Sequence, residues 1–215
     1  MWPTVMPQLR RDPVVLRAFG DGDADLVCSV AADPLIPLIT TVPNSGTRAD
    51  AVAYIARQHD RLATGVGYSF AVAEAATDQA VGQIGLWLRN LDQGRVSTGY
   101  WIAQQFRGKG YATAALRLLS AWALSFDDVA RIELSVEPWN RGSWRTAESC
   151  GYQREGLLRS WQAVGDQRKD MYMYSLTRST PGEADAVNDA RGADPEGQPP
   201  CDPSPDCVPM TISDD

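Results

Sequence analysis

The stretch Tyr100-Trp101-Ile102-Ala103-Gln104-Gln105-Phe106-Arg107-Gly108-Lys109-Gly110-Tyr111-Ala112 passes from a strand-like segment through two glycines into a helical pattern. Gly108 and Gly110 let the backbone approach a ligand closely, and successive N–H groups can point into one concavity. The positive end of the following helix favours a pyrophosphate there, and Arg107 and Lys109 add charge. Physically this is an anion cradle. It is not a Walker loop, because no Gly-Lys-Ser/Thr follows, and its spacing does not match the Gly-x-Gly-x-x-Gly dinucleotide fingerprint. Taken alone, such a motif favours a plain strand-to-helix turn with basic surface residues.

Other residues with chemical capacity are sparse. A single histidine, His59, lies inside the helical pattern Thr47–Leu62 and reads as an exposed or capping side chain rather than a base. The four cysteines, Cys28, Cys150, Cys201 and Cys207, are too few and too scattered for a disulfide framework in a chain of 215 residues. The Cys201 and Cys207 pair sits among prolines with no partner ligands, so no metal is expected.

The elements that must position the cradle follow from periodicity. Val14–Arg17 is a short strand, and Asp21–Ala32 an acid-started helix. Thr47–Leu62 is a helix with Ala51, Tyr54, Ile55 and Leu62 on one face. Tyr68–Ala73 and Ala80–Leu88 are paired strands around the turn Thr77-Asp78-Gln79, and Arg95–Ile102 follows through a turn ending at Gly94. Tyr111–Phe126 is the clearest helix. Arg131–Val136 alternates as a strand, Arg141–Cys150 is a helix stopped by Gly151, and strands at Tyr152–Arg159 and Lys169–Thr177 complete a mixed α/β order.

The chain carries 27 acidic and 20 basic residues, a formal net charge of −7, with 44% hydrophobic and 22% charged residues. That composition fits a soluble globular protein with no membrane-spanning helix. The first 13 residues lack the apolar core of a secretory signal, so a cytoplasmic location is expected. From Ser179 to Asp215 there is no Phe, Trp or Tyr, and half of the chain's 14 prolines fall there. The segment reads as a disordered tail following a domain of residues 1–178. It holds nine acids against Arg191 alone, a net of −8. Removing that from −7 leaves +1 for residues 1–178. The acidic total argues against nucleic acid as a partner.

Gln105-x-x-Gly108-x-Gly110, preceded by Gly99-Tyr100-Trp101-Ile102, is followed by Val136-Glu137-Pro138-Trp139-Asn140-x-x-Ser143 and Glu148-x-x-Gly151-Tyr152. Together these resemble the GNAT acetyltransferase superfamily, in particular the RimJ/RimL-type N-terminal acetyltransferases of ribosomal proteins, over roughly residues 12–178. The resemblance implies a twisted mixed α/β sheet of about seven strands flanked by helices. A split between Arg95–Ile102 and Arg131–Val136 would hold acetyl-CoA. Backbone groups around Trp101, Ile102 and Ala103 would pair with the pantetheine arm. Amides from Arg107, Gly108, Lys109, Gly110, Tyr111 and Ala112 would hold the pyrophosphate. Asn140 would bond the pantetheine, with capping of the following helix as its concurrent structural role.

Family membership further implies direct attack of an amine on the thioester, helped by proximity and by an N–H at Ile102 facing the developing oxyanion. Many relatives carry a Glu where this chain has Ser97 and Thr98, and a tyrosine acid where it has Ala147. Ser143 is then the expected acid. Glu133, working through water, is the expected base, with pairing to Arg131 as an equally weighted structural role. Trp139 and Trp144 flank this region and are candidates for an acceptor groove. Three functions remain open. The first is an N-acyltransferase acting on a protein N-terminus or small primary amine. The second is an aminoglycoside or polyamine N-acetyltransferase. The third is an acyl-CoA-binding sensor of weak or no catalysis. A homodimer is the assembly the resemblance makes reasonable.

Overall fold

A computed structural model describes residues 1–178; the expected tail at 179–215 lies outside the described residues. Among these residues eight strands form one sheet, in line with the expected sheet of about seven: β1 (Leu9–Arg11), β2 (Val14–Arg17), β3 (Gly67–Glu74), β4 (Ala80–Asn90), β5 (Arg95–Ile102), β6 (Arg131–Val136), β7 (Gln153–Val164) and β8 (Gln167–Thr177). The extra strand is β1, which folds back on β2 and carries too short a pattern to be read from sequence. The strand order is β1-β2-β3-β4-β5-β6-β8-β7, and every neighbouring pair is antiparallel except β5 with β6.

The helices are α1 (Ala24–Ser29), α2 (Ile36–Ile39), α3 (Arg48–Ala63), α4 (Tyr111–Ala123) and α5 (Arg141–Ser149). The single helix expected over Asp21–Ala32 is instead a 3-10 turn at Asp21–Asp23 followed by the short α1. Arg17 clamps Asp23, which also accepts from the Gly20 amide, so this acid is held by side-chain bonds. Thr47 caps α3 by accepting from the Asp50 amide at 3.2 Å. The Asp50 carboxylate accepts in return from the Thr47 hydroxyl.

Two apolar clusters sandwich the sheet. One buries Val96, Ile102, Ile132, Leu134 and Val136 with Leu116 and Leu119 of α4 and Ala147 of α5. The other buries Trp101 and Ala103 with Val27 of α1 and Ala51, Tyr54 and Ile55 of α3. Successive strand residues point to opposite faces, so adjacent residues of β5 serve different cores. Among the described residues, no helix is long and apolar enough to cross a membrane.

Candidate active site

The parallel pairing of β5 with β6 covers only Arg95↔Arg131, Val96↔Ile132 and Ser97↔Glu133. Both strands continue past this point, to Ile102 and Val136, without further pairing to each other. β5 stays paired with β4 along that stretch, and β6 with β8, so the sheet opens between two supported strands.

Which backbone groups face the opening is set by alternation. The Ala103 amide donates to the Val81 carbonyl at 3.0 Å. Residues two apart on an antiparallel strand point the same way, so Trp101 also turns to β4, while Tyr100 and Ile102 turn to the opening. The expectation that Trp101, Ile102 and Ala103 all serve a ligand is therefore corrected. Only Ile102 of the three faces the opening, and its carbonyl already accepts from Arg107 Nε at 2.9 Å. Its N–H is the group left to pair with a bound arm.

The cradle lies at the end of β5. Gln104–Phe106 forms a 3-10 turn, after which Gly108 and Gly110 have φ of +78° and +82°, in the left-handed region that favours glycine. Among the described residues, a Cβ at either position would meet nothing within 4 Å, so they leave the space above the cradle open. Among the described residues, no side chain caps α4. The amides of Tyr111, Ala112 and Thr113 are accordingly the helix donors without an acceptor among the described residues. This geometry fits a pyrophosphate. Lys109 is exposed beside it, 5.5 Å from the Phe106 ring centroid. Arg107 does not lend its charge as expected: its guanidinium pairs with Asp33, between α1 and α2, at 2.7 Å. Burial alone would raise the Asp33 carboxyl, but the Ile36 and Leu35 amides and Arg107 outweigh it and hold it below its usual value. Gln105 is exposed and lines a cleft of about 770 Å³ with Arg17, Asp23 and Asp78.

The two faces of the opening differ. On the α4 and α5 face, the Tyr100 ring crosses from β5 to the first turn of α5, where its hydroxyl donates to the Ser143 carbonyl at 3.3 Å. Burial pushes this phenol above its ordinary pKa. Asn140 caps α5, accepting from the Ser143 amide at 3.1 Å. On the α1 and α3 face, Glu133 lies opposite Ser97 at the fork, bonded by Arg131 Nε at 2.8 Å and approached by Arg95 at 3.5 Å. The Trp87 ring lies against two glycines: a Cβ at Gly85 would come within 2.7 Å of it and one at Gly99 within 3.5 Å. Trp139 is largely exposed, its Nε1 donating to Glu137, while Trp144 Nε1 is buried without a partner among the described residues.

The profile of the acetyltransferase (GNAT) domain family matches residues 14–153. The chain belongs to this family. It is therefore an acyl-CoA-dependent N-acyltransferase by family. An uncharacterized N-acetyltransferase, p20 of Bacillus licheniformis, is 28% identical over 173 residues, covering 80% of this chain and 97% of that protein. Among solved structures, Mycobacterium smegmatis RimJ in complex with CoA-disulfide superposes with a TM-score of 0.69 at 23% identity, covering 89% of this chain and 96% of that one. The microcin C7 self-immunity acetyltransferase MccE, in complex with acetyl-CoA and AMP, gives 0.68 at 19% identity, over 78% of this chain and 94% of its own.

Within this GNAT frame, two residues escaped sequence reasoning. Asp33 carried no motif, and its role depends on a partner 74 positions away. Tyr100 stood inside the quoted motif, but its ring's path across the opening depends on where α5 packs. The small, fully buried Ala147 lies on the next turn of α5 after Ser143.

Proposed function

We propose that the chain transfers an acetyl group from acetyl-CoA to a primary amine, at a protein N-terminus or on a small molecule, by direct attack in a ternary complex. The observation that carries this is the continuity from the β5–β6 opening, into which the Ile102 N–H points, to the uncapped α4 N-terminus over Gly108 and Gly110. The pantetheine arm lies in the opening, and the amides of Tyr111, Ala112 and Thr113 hold the pyrophosphate. Acetyl-CoA supplies the activated acyl group. Solved relatives of this fold hold CoA or acetyl-CoA, which supports the same ligand here.

The amine approaches from the α1 and α3 face, where Glu133, Ser97 and Trp87 surround the fork. Glu133 receives the amine proton through water, and Arg131 and Arg95 fix its position. On the opposite face, the Ser143 hydroxyl donates to the departing sulfur, and so does the Tyr100 phenol once it turns from the Ser143 carbonyl. A thiolate of pKa around 8.5 needs a hydrogen bond more than a full proton transfer. Incubation with acetyl-CoA, a panel of amines and a thiol reagent tests the reaction. Acceptor-dependent thiol release is expected; tight CoA binding with no release for any amine would favour the sensor instead. Ser143→Ala and Glu133→Gln test the roles, and unchanged turnover in both would remove these assignments.

A further inference from the structure

Two arginines of α3, Arg57 and Arg61, stand one helical turn apart and converge on the loop after α2. Arg57 Nη2 donates to the Thr41 carbonyl at 3.2 Å, and Arg61 Nη2 to the Thr41 hydroxyl at 3.3 Å. Neither is paired with a carboxylate among the described residues. Arg61 is half-buried, and its burial lowers its pKa. A guanidinium drawn from water without an anion is costly, and proteins usually supply the partner.

Arg61 also marks a place. Its guanidinium sits 5.5 Å from the centroid of the Trp87 ring, and that ring rests on Gly99, two residues beyond the last β5–β6 pair. The arginine is therefore one aromatic ring away from the opening, on the face from which the amine approaches. A cleft of about 270 Å³ lined by Thr41, Arg57, Asp60, Arg61 and Thr64 adjoins it. The charged groups that line this cleft are Asp60 against Arg57 and Arg61, and the carboxylate at the fork, Glu133, is already held by Arg95 and Arg131.

We infer that the acceptor carries an oxyanion, a carboxylate or phosphate, besides its amine, and that Arg61 and Arg57 bind it while the Trp87 ring supports the portion between. This rests on the acetyl-transfer reading and names its substrate class. A polyamine would bring its second cation against two guanidiniums, which disfavours the polyamine alternative.

The test uses the full chain, acetyl-CoA and acceptors matched in their α-amine: Ser-Glu-amide against Ser-Gln-amide, and Ala-phosphoserine-amide against Ala-Ser-amide, with spermidine as the cationic limit. The two pairs separate carboxylate from phosphate. In at least one pair the anionic member is expected to show kcat/KM at least about tenfold higher, the worth of one charge-assisted contact. Arg61→Ala is expected to bring that ratio close to one, and Arg61→Lys to keep part of it. A ratio near one in the native chain, or one unmoved by both Arg61→Ala and Arg57→Ala, would overturn the proposal. If no acceptor releases thiol although CoA binds, it is acetyl transfer that fails. Calorimetry of the same peptides on the CoA-loaded chain then decides: tighter anionic binding lost in Arg61→Ala supports the site, and equal binding overturns it.

Discussion

On the α4 and α5 side of the β5–β6 opening, Ile102, Ile132, Leu134 and Val136 pack into one core with Leu116, Leu119 and Ala147. On the α1 and α3 side, the surface at the fork is Trp87, Ser97, Glu133 and a group of arginines, much of it half-exposed. The first side presents mainly backbone donors held by a rigid apolar scaffold. The second presents side chains brought from four separate elements. Cofactor recognition by backbone can be shared across a family, because it depends on strand direction and two glycines. Acceptor recognition by side chains changes with each substitution, and it is where this chain is expected to be individual.

The strongest way to break that contrast is Gly110→Val. A left-handed conformation costs a β-branched residue about 1–2 kcal/mol, and the added side chain would point into the open cradle. CoA affinity is expected to fall about thirtyfold or more, measured by calorimetry, with the circular dichroism spectrum retained. Unchanged affinity would mean that the cradle is not the pyrophosphate site.

Tyr100→Phe comes next and tests the apolar side for a chemical role. If the phenol turns from the Ser143 carbonyl to the sulfur as proposed, losing it is expected to lower kcat about tenfold while acceptor KM stays nearly constant. A change confined to melting temperature would reduce Tyr100 to a packing residue. The basic pair at the cradle sharpens the comparison further. Lys109→Ala is expected to weaken CoA about fivefold, with a strong salt dependence. Arg107→Ala instead leaves Asp33 buried without its partner, and should lower Tm by about 3–6 °C while weakening CoA less than Lys109→Ala does.

The smallest expected effect lies below the fork. Arg131 and the Ser175 hydroxyl hold Glu155 down at about pKa 2, from an ordinary value of 4.5. A carboxylate lowered on folding contributes stability that is complete above its unfolded pKa and lost as pH falls through the folded one. Glu155→Gln should therefore flatten the stability profile between pH 4.5 and about 2, read from urea midpoints, and leave its shape above pH 5 unchanged.

The contrast between the two sides also explains what the sequence could tell. β5 and β6 were legible to the residue, because alternating apolar side chains are local signals. The glycine turn and the start of α4 were legible for the same reason. The break of the first helix at Asp23 was not, since it depends on Arg17 and on Asp78 from a distant turn. Neither was the capture of Arg107 by Asp33, nor the half-buried arginine over Trp87, because each joins residues tens of positions apart. Motif reading placed a positive charge at Arg107, and the fold spends it on holding the loop between α1 and α2.

The central claim is that CoA occupies the β5–β6 opening with its pyrophosphate on the α4 N-terminus. Amide exchange of the full chain, measured by NMR with and without CoA, tests this most directly. The expected result is marked CoA-dependent slowing at Ile102, Tyr111, Ala112 and Thr113. Ala103, whose amide is already bonded to the Val81 carbonyl, should change little. Protection at Ala103 without any at Ile102, or no protection across 111–113 at saturating CoA, would contradict it.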